Sequence, residues 1–230
     1  MISENLEQVR AQIREAEARA GRPEGSVALL PVSKFHPAEA IREVAACGIT
    51  LVGENREQEA RDKAAELGGT CGIAMIGQIQ SKKANAVARW AREVHSLDSV
   101  KLAAGLDRGM ALALERDDRT SSVLPCMLQV SYDGDTSRGG VAREGVDVLV
   151  AAVEEAEHLH LKGFMVVPPL HTDPREVFTE LRLLTDAHAV SLGRPLQLSA
   201  GMSGDFEAAI ACGSDIVRVG TAVFGPRPVG

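Results

Sequence analysis

The chain has 230 residues, 45% hydrophobic and 25% charged with aromatics at only 3%, a globular composition whose core must be built from Ala, Val, Leu and Ile. Its formal net charge of −7 argues against a general nucleic-acid binder, which would carry a basic face. No apolar run approaches the roughly 18–20 residues of a membrane span, and the charged N-terminus has no apolar stretch of the signal-peptide kind.

In chain order, Ser3 is placed to cap a helix over 4–20, with Leu6, Val9 and Ile13 at helical spacing. Residues 27–32 (VALLPV) form a continuous apolar run of strand length, as expected for a strand covered on both faces. A helix from 38 to 47, a strand over 49–52 and a helix over 56–67 follow. Then come a strand at 73–76, a helix at 81–91, a strand at 93–97 and a helix through 101–114 capped by Asp98 or Ser99. A strand at 123–130 leads into the polar loop 131–140 (SYDGDTSRGG). A helix at 147–157, a strand at 159–167 and a helix opened by Asp173-Pro174 continue the alternation. The last units are a strand at 196–199, a helix at 206–212 capped by Asp205, and a strand at 216–219.

About eight strand–helix units in a chain of this length point to an α/β fold. The expectation is a single (β/α)8 TIM barrel spanning 1–230 as one domain, with an extra N-terminal helix outside it. No GxGxxG follows the first strand, which lowers the dinucleotide-binding alternative. The cysteines Cys47, Cys71, Cys126 and Cys212 are widely spaced. They read as reduced thiols of a cytoplasmic protein, and no spacing supports a metal site.

Active groups of such barrels lie where the strands end. Here those ends deliver Lys34, Asn55, Gly77-Gln78, Ser96 and Asp98, the Tyr132–Arg138 loop, Met165, Ser199 to Ser203, and finally Arg218, Gly220 and Thr221. The last two strand ends carry Gly, Ser and Thr with free backbone N–H groups, a phosphate cradle in the usual barrel position. Lys34 follows an apolar strand directly. Desolvation and a nearby cation such as Arg218 both favour a neutral amine, the form that Schiff-base chemistry needs. A lysine snorkelling to water is the competing reading by position alone. A lysine opposite a phosphate cradle suits a phosphorylated aldehyde. His95 reads as a satisfied core residue, His36 as a turn residue, Tyr132 as a solvated loop residue, and the helices at 56–67 and 146–157 as solvated outer faces. Arg138 either closes over a ligand or is solvated.

The motifs PVSKFHP, GEN, IGQIQSKK, HSLDS, QVSYDGDTSRGG and LSAGMSGDFEAAIACGSDIVRVGTAVFG, together and in this order, resemble the pyridoxal phosphate homeostasis protein family. That family is similar in fold to the N-terminal barrel of alanine racemase. The resemblance implies that Lys34 forms the internal aldimine with pyridoxal 5′-phosphate and that Asn55 approaches the ring's 3-oxygen. It further implies that Arg218 faces the pyridine nitrogen and that Ser203, Gly220 and Thr221 bind the phosphate. Ser199 and Met202 complete the expected cofactor-binding set, and the short helix beside Ser203 suits an anion. Two departures stand out. Ile73 and Ala74 replace an aromatic and a histidine, and Lys82 replaces an asparagine, all expected at or beside the cofactor mouth.

A guanidinium stays protonated, so a pyridine nitrogen facing Arg218 stays unprotonated and is a weaker electron sink. The racemases of similar fold also need a tyrosine from a separate C-terminal domain, for which no room is expected after Arg227. The expected function is therefore intracellular pyridoxal phosphate homeostasis by a non-enzymatic monomer that buffers or delivers the cofactor, with apo enzymes as recipients. The alternatives are a small amino-acid racemase and, further off, a barrel enzyme acting on a sugar phosphate through Lys34.

Overall fold

The structure, a computed structural model, describes residues 1–226. Arg227, the end of the closing stretch read from the sequence, lies outside them. Eight parallel strands, β1 (Ala28–Pro31), β2 (Leu51–Glu54), β3 (Gly72–Met75), β4 (Glu93–Leu97), β5 (Leu124–Ser131), β7 (Leu159–Val166), β8 (Gln197–Ser199) and β9 (Ile216–Val219), alternate with helices. They are ordered β1-β9-β8-β7-β5-β4-β3-β2. The barrel expected from the alternation is thus present and nearly closed. Its seam, between β1 and β2, is joined by one bridge, Val32 to Gly53, and by Ser33 N–H donating to Gly53 O at 3.0 Å. A two-residue strand, β6 (Val141–Ala142), adds to the edge of β5; the loop reading of 131–140 gave no sign of it.

The outer helices are α2 (Ala38–Ala46), α3 (Glu57–Leu67), α4 (Ala84–Trp90), α5 (Val100–Glu115), α6 (Val146–Glu154), α7 (Pro174–Leu192), α8 (Phe206–Ala211) and α9 (Thr221–Phe224). The extra helix α1 (Ile2–Arg19) buries Leu6, Val9, Ile13 and Ala16, each large side chain worth roughly 1.5–3 kcal/mol. It lies against α2, α8 and α9. Asn5 Nδ2 ties it to Val223 O at 3.1 Å, so it covers the barrel beside the short α9. Its buried Glu17 accepts from Val27 N–H at 2.7 Å and Gly25 N–H at 3.0 Å, fixing the entry to β1.

Two kinds of apolar core result. The larger joins the outward faces of the strands to the helices. A smaller cluster of Leu30, Ala74, Met127, Met165 and Ile216 fills the barrel interior. Below it the interior turns polar, with Glu93 Oε2 on His95 Nε2 at 2.8 Å and Lys162 Nζ on Glu93 Oε1 at 2.8 Å. Among the described residues no helix is long and apolar enough to cross a membrane.

Several local expectations change. Helix α1 starts at Ile2, so Ser3 lies inside its first turn rather than capping it. Ser99, not Asp98, caps α5, its Oγ accepting from Leu102 N–H at 3.3 Å. Strand β2 sits two residues later than the apolar run, because Gly53 and Glu54 are also paired, with Ala74 and Met75. The segment 81–91 is a 3-10 turn (Ser81–Lys83) followed by α4. Asp205 makes no capping bond to α8. Its Oδ1 instead accepts from Met202 N–H at 2.6 Å, clamping the glycine-rich turn. The helix read as a solvated outer face at 56–67 in fact aims a buried Lys63 at the strand ends.

Candidate functional site

A cavity of about 400 Å³ opens among the C-terminal ends of β1, β2, β3, β7, β8 and β9. Of the eight residues singled out in the sequence, Lys34, Asn55, Met202, Ser203, Arg218, Gly220 and Thr221 line it. Val32, Ile76, Met165, Val167 and Gly204 complete the wall. Ser199 does not line it. Buried in β8, it stands behind Arg218 and accepts from Nη1 at 2.8 Å.

Arg218 is 3% exposed. It comes up inside β9, and its Nη2 donates to Val166 O at 2.8 Å. Burial pulls the guanidinium down to about 10, with Asp205 opposing the shift, so it is cationic at neutral pH. Lys34 follows β1, which pairs directly with β9, Leu30 beside Arg218, so the lysine stands next to the Gly220-Thr221 turn rather than across the mouth from the cradle as the sequence suggested; it lies one residue past the Ser33–Gly53 link that joins the seam. Its side chain is exposed, so the desolvation inferred from the apolar run before it is not found. The backbone leaves the strand at Ser33 and lifts the amine to the rim.

Among the described residues no carboxylate lines the cavity, and the two charged side chains that do, Lys34 and Arg218, are both cations. In a chain with net charge −7 this is a local reversal that favours an anionic ligand. Among the described residues the N–H groups of Ser203, Gly204, Thr221 and Ala222 donate to no backbone carbonyl, which leaves donors at two adjacent strand ends. Gly201, at φ +94°, makes the first of these turns possible: a β-carbon there would meet Ala209 Cβ at 2.6 Å.

Asn55 follows β2 and reaches the cavity because its backbone is pressed against Gly77. Beneath Lys34 lies a polar cluster that was not read from the sequence. Lys63 Nζ donates to Ser33 O at 3.0 Å, Glu54 Oε1 at 2.6 Å and Glu59 Oε1 at 2.7 Å. Burial pushes Glu54 up despite its bonds from Lys63 and Ser33. Burial acts the same way on Glu59, but there the Lys63 and Phe35 bonds prevail and hold it low. The signal available in the sequence was Glu59 and Lys63 four apart on one helix.

The remaining candidates lie elsewhere. His95 is buried on Glu93, a core residue as read, but only half satisfied: its Nδ1 finds no hydrogen-bond partner among the described residues. His36 stacks on Phe224 with ring centroids 5.3 Å apart. Tyr132 packs its ring partly against the core while its hydroxyl stays exposed, on Glu180 at 3.2 Å, and it does not line the cavity. Arg138 pairs with Asp133 and Asp135 in its own loop. Ile73 and Ala74 are buried in mid-strand, one facing the helices and one the barrel interior. Lys82 is exposed in the 3-10 turn. None of these three lines the cavity, so the two departures from the family pattern do not reach it. Among the described residues no group of three or more His, Cys, Asp or Glu is placed to hold a metal ion.

The alanine racemase N-terminal domain family matches residues 5–228. A pyridoxal phosphate homeostasis protein of Corynebacterium glutamicum is 55% identical over 208 residues, covering 90% of this chain and 94% of its own. The one from Escherichia coli is 37% identical, covering 98% and 97%. Among solved structures, PipY of Synechococcus elongatus with pyridoxal phosphate bound superposes with a TM-score of 0.82 at 32% identity, covering 98% of this chain and all of its own. Alanine racemase of Streptomyces coelicolor shares the fold at a TM-score of 0.68 and 23% identity, with 58% of its own length covered. A barrel with a cation-lined mouth, and relatives matched over nearly their whole length, place the chain in the pyridoxal phosphate homeostasis protein family.

Proposed function

We propose that this protein binds pyridoxal 5′-phosphate as a Schiff base of Lys34 and serves its homeostasis in the cytoplasm, buffering or delivering it without robust catalysis. The observation that carries the reading is the mouth cavity, with an exposed lysine and a buried arginine from paired strands, N–H donors at the ends of β8 and β9 and, among the described residues, no carboxylate. Its volume suits a small cofactor.

The residues fit the group. Ser203, Gly204, Gly220 and Thr221 would hold the phosphate through hydroxyls and N–H groups, Asn55 the ring's 3-oxygen, and Met165 and Met202 would pack on the ring. Bound there, pyridoxal phosphate supplies an aldehyde that condenses with an amine. Lys34 presents that amine. Arg218, cationic and fixed by Ser199 and Val166, would leave the ring nitrogen unprotonated and the ring a poor electron sink.

A racemase needs a second acid–base group, and among the described residues none lines the cavity: no Tyr, His, Cys, Asp, Glu or second Lys. This supports a carrier over a racemase, and the proposal takes it to act as a single-domain monomer with apo enzymes as recipients. The test is spectroscopic. The protein loaded with pyridoxal phosphate should absorb as a yellow adduct that borohydride traps, and Lys34→Ala should abolish it. A wild type that borohydride leaves unlabelled would refute the reading.

A further inference from the structure

We propose that Lys63, acting with Glu54 and Glu59, is a positioning residue for Lys34, setting the backbone turn that presents its amine to the aldehyde. The inference rests on the cofactor reading above and adds residues that do not line the cavity.

Both neighbours of Lys34 are tied to the same ammonium. On one side, Ser33 O accepts from Lys63 Nζ at 3.0 Å, and Ser33 Oγ donates to Glu54 Oε1 at 2.6 Å. On the other, Phe35 N–H donates to Glu59 Oε1 at 2.7 Å, the same oxygen that accepts from Lys63 at 2.7 Å. Phe35 has φ +69°, a left-handed conformation that disfavours a bulky side chain and persists only where its surroundings impose it. Arg56 lies over the Phe35 ring at 5.1 Å, so α3 and its entry hold the turn from both backbone and side chain.

The turn lies at the barrel seam, where β1 and β2 share a single bridge. Backbone pairing there is too sparse to fix where Lys34 points. Lys63 is 7% and Glu54 0% exposed. Burying such charges gains little net stability over apolar packing, and registry is a better-attested use for them. A cluster that holds Ser33 and Phe35 in place supplies that registry to the residue between them.

The test uses the full chain with two ligands, pyridoxal phosphate and pyridoxine phosphate, which carries an alcohol in place of the aldehyde. Lys63→Met is expected to weaken pyridoxal phosphate binding and slow formation of the borohydride-trapped adduct by about tenfold or more, with pyridoxine phosphate affinity unchanged. Equal loss for both ligands, or no loss for either, overturns the proposal. Should Lys63→Met fail to fold, Glu59→Gln keeps the shape and weakens the Phe35 and Lys63 bonds; the same split between ligands is expected, and its absence overturns the proposal. A wild type with no trapped adduct refutes the cofactor reading itself and this inference with it. A wild type that forms one, matched by Lys63→Met, refutes this inference alone.

Discussion

Gly77 lies directly against the backbone of Asn55: a β-carbon at Gly77 would stand 2.0 Å from Asn55 O. Gly77→Ala must therefore push the end of β2 away from the end of β3, and Asn55 with it. Overpacking of this kind costs about 1–3 kcal/mol. The expected result is a lower urea midpoint and weaker pyridoxal phosphate binding; a variant with wild-type affinity would show that Asn55 need not be held there.

Ser199 matters through Arg218. Ser199→Ala removes the acceptor of a buried guanidinium N–H at 2.8 Å. Leaving such a donor unpaired costs about 1–3 kcal/mol or more. Denaturant unfolding of the variant without ligand should read that loss directly, since Ser199 does not line the cavity.

The barrel interior predicts an acid-sensitive fold. Burial holds His95 below its ordinary value near 6.5, with Lys162 and Arg218 adding to the effect and Glu93 opposing it. A base with a depressed folded-state pKa contributes stability that is complete above about 6.5 and lost as pH falls through the folded value. His36 is lowered by its burial and by Lys63 and acts in the same direction. Between about pH 7.5 and 5.5 the unfolding free energy should fall, by up to about 1.4 kcal/mol per pH unit for the buried His95, with a smaller, solvent-screened part from the half-exposed His36. His95→Gln should flatten the slope, leaving the part due to His36. An unchanged slope would mean that His95 takes up its proton in the folded barrel.

Among the described residues no second acid–base group lines the cavity, which leads to a kinetic expectation. With the cofactor bound, the protein should not exchange the α-hydrogen of L-alanine with solvent deuterium at an enzymatic rate, as followed by NMR. Exchange at such a rate would replace the carrier reading with a racemase.

Much of the barrel was legible because each strand is a short apolar run and each βα unit carries its own punctuation. Seven of the eight singled-out residues meet at one cavity because strand ends in a parallel barrel converge whatever the loops do. What escaped reading depends on tertiary contact. Lys63 looked like a solvated helix residue, since nothing in its own helix says that the turn after β1 lies against it. Lys34 looked desolvated, since the apolar strand before it hides the turn at Ser33 that lifts it to the rim. Asp205 looked like a cap, because its preference for Met202 N–H depends on the turn that Gly201 allows.

The central claim is that one lysine holds the cofactor, and peptide mapping after borohydride reduction tests it most directly. Wild-type protein loaded with pyridoxal phosphate should carry the reduced adduct on the peptide containing Lys34, and Lys34→Ala should carry none there or elsewhere. An adduct on Lys63, Lys82 or Lys83 in place of Lys34, or no adduct at all, would contradict the account.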